Sequence, residues 1–138
     1  MKRTAKAHMV GNLKEGKGEL TTQSKVLDHT NYSFKTRFEG DTTGTNPEEL
    51  LAAAHAGCFT MAVSLAITEK GLHPESLDTE AVVVMEGFNI TAVHLSITGS
   101  VSGITAEEFE AITKAAEQNC LISKVLNIPI SSDAHLIS

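Results

Sequence analysis

The chain has 138 residues and a formal net charge of −6. That length suits a single domain spanning 1–138, able to bury roughly two-thirds of its unfolded surface, and the charge leaves no basic stripe for nucleic-acid phosphates or an anionic membrane. Met1-Lys2-Arg3 opens like a leader, but residues 4–9 hold no continuous apolar run and no uninterrupted apolar segment nears the ~20 residues of a spanning helix; the expected location is cytoplasmic, where two cysteines serve chemistry rather than stapling.

The first forty residues read as an antiparallel meander, with strands at 4–10, 19–26 and 32–39 and a polar turn at 11–18. In the third strand Phe34 and Phe38 share one face and Arg37 the other. After the loop 41–45, Asn46-Pro47-Glu48-Glu49 opens a helix with a cap, a proline at the first position and acids in the first turn. From Leu50 to Ile67 the only polar side chains are His55, Thr60 and Ser64, and a helix apolar nearly all round is buried on most sides. Lys70-Gly71 ends it. Strands follow at 79–85 and 91–101, then a helix capped at Thr105 and running to about Asn119, a short helix at 121–126, and a strand at 130–136 beyond Pro129.

Two motifs carry little weight. Gly11-Asn12-Leu13-Lys14-Glu15-Gly16-Lys17-Gly18 nearly matches a phosphate loop, but Gly18 stands where a magnesium-holding hydroxyl is needed and no apolar helix follows, so it reads as a hairpin turn. His55 and Cys58 lie three apart on one helix face, yet nothing in the spacing of Cys120, His94 or His135 completes a zinc site. His55 is better read as a helix-face histidine with one satisfied hydrogen bond, and no metal or cofactor is expected.

The cysteines carry the chemistry. Cys58 sits among Ala, Gly and Phe well inside the long helix, beyond reach of its N-terminal dipole, so a thiolate there needs a cation from elsewhere in the fold. Cys120 follows Asn119, a candidate cap for the short helix, and Lys124 lies one turn on. Local sequence alone therefore nominates Cys120 as the more readily ionised thiol.

The run Thr-Asn-Pro-Glu-Glu-Leu-Leu-Ala-Ala-Ala-His-Ala-Gly-Cys-Phe-Thr-Met-Ala at 45–62 resembles the signature of the OsmC and organic hydroperoxide resistance family, in its osmotically inducible OsmC branch. Phe34-Lys35-Thr36-Arg37-Phe38-Glu39 and Asn119-Cys120-Leu121-Ile122-Ser123-Lys124 match the same branch, apart from Leu121 where members often carry proline. The resemblance implies an α+β fold of antiparallel sheets packed around a long central apolar helix, in an intertwined homodimer with its active sites at the subunit interface. It implies a thiol peroxidase that reduces organic hydroperoxides and is reset by an external dithiol, of lipoyl type for instance. By the same resemblance Cys58 is the peroxidatic thiol, Cys120 the resolving thiol that closes a disulfide on its sulfenic acid, Arg37 the cation that activates Cys58, and Glu48 the acid that orients Arg37. This reverses the local ranking of the thiols, and a planar, permanently charged guanidinium can do what is asked of it.

Apolar residues near Cys58 favour an alkyl hydroperoxide over hydrogen peroxide, since each buried methylene contributes about 0.8 kcal/mol; Leu51, Ala54, Phe59 and Met61 are the candidate walls. One difficulty follows from helix geometry. Ten residues separate Glu48 from Cys58, roughly 15 Å along a straight axis, so either the helix bends or breaks between them, with Gly57 a plausible place, or Glu48 reaches Arg37 from the other subunit. The rival function is a thiol redox sensor or small-molecule binding protein that uses the same pair without turnover.

Overall fold

The computed structural model describes residues 1–137. They form two compact units, one over residues 1–50 and the other from residue 51 onward. In the first unit β1 (Ala5–Val10) and β2 (Lys17–Thr22) form an antiparallel hairpin, and β3 (Thr30–Tyr32) extends the sheet in the order β1-β2-β3. The loop that resembled a phosphate cradle closes on itself: the Asn12 carbonyl accepts from the Gly16 N–H at 2.8 Å and Asn12 Oδ1 from the Glu15 N–H at 2.8 Å. β2 stops at Thr22 rather than continuing to 26, because Thr22 Oγ1 accepts from the Leu27 N–H and Lys25 adopts a φ of 67°, turning the chain.

The expected third strand over 32–39 is corrected by the structure. β3 ends at Tyr32, and α1 (Phe34–Phe38) takes its place. Ser33 starts this helix with a reciprocal cap: its Oγ accepts from the Thr36 N–H at 3.2 Å, while Thr36 Oγ1 accepts from the Ser33 N–H at 2.8 Å. Phe34 and Phe38 still share a face, as an i, i+4 helical pair with ring centroids 5.1 Å apart.

α2 (Pro47–Glu69) begins in the last residues of the first unit and continues into the second. As read from sequence, Asn46 caps it, Oδ1 accepting from the Glu49 N–H at 2.7 Å. Its 23 residues are long and apolar enough to cross a membrane by length and composition alone, which corrects the expectation that no such segment exists. Gly71, at φ +79°, turns the chain away.

The second unit continues with β4 (Pro74–Glu86), β5 (Asn89–Val101), α3 (Ala106–Asn119), α4 (Leu121–Val125) and β6 (Ile130–Leu136). β4 and β5 form a long antiparallel hairpin, but β6 runs parallel to β5, from Val93↔Ile130 to Gly99↔Leu136. The sheet is therefore mixed rather than wholly antiparallel, and the α3–α4 crossover supplies the length that a parallel pairing needs. Its core takes Phe59, Val63 and Ile67 from α2, the alternating Val93, Leu95, Ile97 and Val101 from β5, and Phe109, Ile112 and Ala116 from α3.

Candidate active site

α1 and the first turn of α2 hold Arg37 and Glu48 together within one chain. Arg37 Nε donates to Glu48 Oε1 and Oε2 at 2.8 and 3.1 Å, and Arg37 Nη2 lies 2.7 Å from Oε1. The fork is fixed from several sides. Ser33 and Asn46 set the starts of the two helices, Asn46 Nδ2 donates to the Thr36 carbonyl at 3.0 Å, and the Phe38 ring lies 5.0 Å from the guanidinium carbon. Glu48 is buried, with a side chain 7% exposed, whereas Arg37 keeps 41% of its side chain in solvent. The arrangement thus presents one aligned cation at the surface, backed by a buried carboxylate.

α2 is unbroken through Gly57, and Glu48 meets Arg37 of its own chain.

Along α2 in the second unit, His55, Phe59, Val63 and Ile67 make a fully buried stripe at i, i+4 spacing. Cys58 lies at its border, half-buried and packed against the core. By helical spacing Leu51, Ala54, Met61 and Leu65 are its neighbours on the open side; Ala54 is exposed, Leu51 half-buried, and Met61 and Leu65 are 75% and 59% exposed. Phe59 is corrected as a pocket wall, since it is 0% exposed in the core of this unit. An i, i+1 neighbour of Cys58 points about 100° away around the helix.

Cys120 joins α3 to α4 in extended geometry, φ −63° and ψ 147°, with its N–H donating to the Ala116 carbonyl at 3.0 Å. The expected cap of α4 was Asn119; the cap is Cys120 itself. Its Sγ accepts from the Ser123 N–H at 3.4 Å and lies 3.1 Å from Ser123 Oγ. Ser123 Oγ in turn lies 2.7 Å from His55 Nε2, so α2 and the α3–α4 junction meet at a serine. Sequence reasoning missed Ser123. The signal was the Cys-x-x-Ser spacing at the start of α4, a thiol in the place of a capping hydroxyl. Burial pushes His55 below its ordinary range and keeps it neutral.

Both cysteines are free thiols. Among the described residues no group of three or more His, Cys, Asp or Glu side chains is placed to hold a metal ion. His94 is engaged elsewhere, with Nε2 2.7 Å from Asp133 and Nδ1 2.6 Å from Ser131.

Comparison with known proteins bears on this constellation. The family model described as OsmC-like protein matches residues 39–133. Peroxiredoxin OsmC of Escherichia coli is 46% identical over 136 residues, covering 96% of this chain and 94% of that protein. The organic hydroperoxide resistance protein OhrB of Bacillus subtilis is 29% identical over 109 residues, 78% of this chain and 79% of that one. In three dimensions an OsmC-like protein of unknown function from Vibrio cholerae superposes with a TM-score of 0.77, covering 97% of this chain and 99% of the other at 15% identity, a likeness of fold.

Proposed function

Because the chain belongs to the OsmC-like family, we propose that it is a cysteine-dependent peroxidase that reduces organic hydroperoxides to alcohols. The observation that carries this reading is Cys58: a free, half-buried thiol at the edge of an open apolar helix face, in a chain nearly half identical to a peroxiredoxin. A Cys58 thiolate attacks the distal oxygen of ROOH and the O–O bond breaks; the sulfur becomes a sulfenic acid, and RO⁻ leaves and takes up a proton equivalent to the one the thiol gave up, as ROH. Cys120 condenses with it, releasing water and leaving a disulfide, which an external dithiol reopens. Ala54, Met61, Leu65 and Leu51 offer an apolar wall to the alkyl group.

Arg37, oriented by Glu48, is the cation that keeps the attacking sulfur ionised and hydrogen-bonds the peroxide. Following the family resemblance, which puts the active sites at the subunit interface, we assign it to Cys58 of a second copy in a homodimer. The solvent-facing Ala54, Met61 and Leu65 on α2 support that assembly, as apolar surface that a partner's helix would cover. On this reading α2 is an interface and core helix of a cytoplasmic protein rather than a membrane span.

Turnover of cumene hydroperoxide with dithiothreitol tests the reading. Wild type should cycle repeatedly, Cys58→Ser should lose all activity, and Cys120→Ser should stop after one equivalent or run only as fast as added thiol attacks the sulfenic acid. Stoichiometric oxidation of wild type without turnover would instead establish a redox sensor. A kcat/KM for hydrogen peroxide equal to that for cumene hydroperoxide would contradict the apolar pocket.

A further inference from the structure

The buried cluster His55–Ser123–Cys120 has a direction. His55 is 0% exposed, and its Nδ1 has no hydrogen-bond partner among the described residues while Nε2 lies 2.7 Å from Ser123 Oγ. A ring hydrogen on Nδ1 would leave a buried donor unpaired, the rarer and costlier kind of orphan; a bare Nδ1 leaves only an acceptor. The network therefore assigns the hydrogen to Nε2. His55 then donates to Ser123 Oγ, and the serine O–H, which His55 does not need, is free to donate across 3.1 Å to Cys120 Sγ. The Ser123 N–H adds a second donor to the same sulfur at 3.4 Å. Two donors are thus aimed at the sulfur of a residue that is only 4% exposed, and they fix how that sulfur is held.

We propose that His55 and Ser123 form a one-way hydrogen-bond chain that prepares Cys120 as the resolving nucleophile. Ser123 contacts the reacting sulfur, and His55 acts through it as a positioning residue. The inference rests on the reading above, in which Cys58 becomes a sulfenic acid. In the step concerned the Cys120 thiolate forms an S–S bond to Cys58 as the Cys58 S–O bond breaks. Hydroxide leaves and takes up a proton equivalent to the one that Cys120 gave up, so the net product is water. The Cys120 sulfur is oxidised and the Cys58 sulfur reduced to the disulfide level. His55 stays neutral throughout, donating rather than removing a proton, so its burial is no obstacle. It also sits one helical turn before Cys58, which ties the orientation of the resolving thiol to the segment that carries its target.

The test separates the two chemical steps. Reduced protein is mixed with one equivalent of cumene hydroperoxide. Sulfenic acid is trapped with dimedone at intervals, and the Cys58–Cys120 disulfide is measured by mass spectrometry. Ser123→Ala should form sulfenic acid at the wild-type rate but close the disulfide about 10-fold more slowly, the lower end of what a hydrogen bond to a charged group supplies. His55→Leu should behave likewise. His55→Gln, whose amide can donate from nearly the position of Nε2, should restore most of the rate. In a Cys58→Ser background, Ser123→Ala should also slow iodoacetamide alkylation of Cys120, whereas mere loosening of the core would speed it by admitting reagent. Wild-type closure in Ser123→Ala, equal slowing of both steps, faster alkylation, or failure of glutamine to rescue would each overturn the proposal. If wild type made sulfenic acid but never the disulfide, the resolving role of Cys120 would fall and this proposal with it; if no sulfenic acid formed, the peroxidase reading itself would fall.

Discussion

Replacing Arg37 by Ala should cost this protein more stability than replacing Glu48 by Gln, although the two residues share one ion pair. The asymmetry comes from burial: the Glu48 side chain is 7% exposed and that of Arg37 is 41%. Without Arg37 the carboxylate remains buried, having lost contacts at 2.7, 2.8 and 3.1 Å, and an uncompensated buried charge costs about 3–5 kcal/mol. Water reaching the site through the vacated side chain lowers this to about 2–3 kcal/mol. Without the Glu48 charge the half-exposed guanidinium can rehydrate, and the glutamine oxygen still accepts one bond, so the loss is about 1 kcal/mol. Urea unfolding of both variants and wild type, at one protein concentration so that self-association shifts every curve alike, measures the difference. Equal losses, or a larger loss in Glu48→Gln, would refute the account of which partner is desolvated.

Three further outcomes are expected. Burial holds His55 below its usual 6.5, so the unfolded chain binds more protons than the folded one below that pH; the urea midpoint should hold above about pH 6.5 and fall beneath it, less steeply in His55→Gln. Burial opposes ionisation of Glu117, but donors from Ser132, Gln118 and Lys114 outweigh it and hold the carboxyl below its usual 4.5. Ser132→Ala, which loses the 2.7 Å bond to Glu117, should therefore cost about 1–2 kcal/mol at pH 7, and thermal melts should show that cost shrinking as acid protonates the carboxylate below pH 4.5. A β-carbon at Gly99 would lie 2.6 Å from Phe109 Cζ and 3.1 Å from Leu77 Cδ2, so Gly99→Ala should destabilise by about 1–3 kcal/mol in the same assay.

Where local chemistry dominates, the sequence was legible. Asn46-Pro47 announced the start of α2, Thr105 that of α3, and Pro129 the break before β6. The strand expected at 32–39 failed for a definable reason: a spacing of four places Phe34 and Phe38 on one face of either a strand or a helix, so periodicity could not arbitrate. The Ser33–Thr36 cap decided it, with threonine in place of the usual Glu or Gln of such a box. The parallel partner of β5 lay equally out of view, since alternation names a strand but not its neighbour. At the site, one satisfied hydrogen bond was foreseen for His55, but its partner Ser123 lies 68 residues away, and only the fold could join them. Composition marked α2 as a helix to be covered on most sides, but it cannot tell which side its own chain covers: His55, Phe59, Val63 and Ile67 are buried while Met61 and Leu65 are exposed.

β6 is the edge strand that closes the second sheet, and it arrives only after the whole α3–α4 crossover. A nascent chain that stalled on the ribosome at Pro129 would therefore display the naked hydrogen-bonding edge of β5, flanked by Val93, Leu95 and Ile97. Such an edge is a template for aggregation. Release of an incomplete chain thus exposes a pairing edge that the finished chain covers with β6.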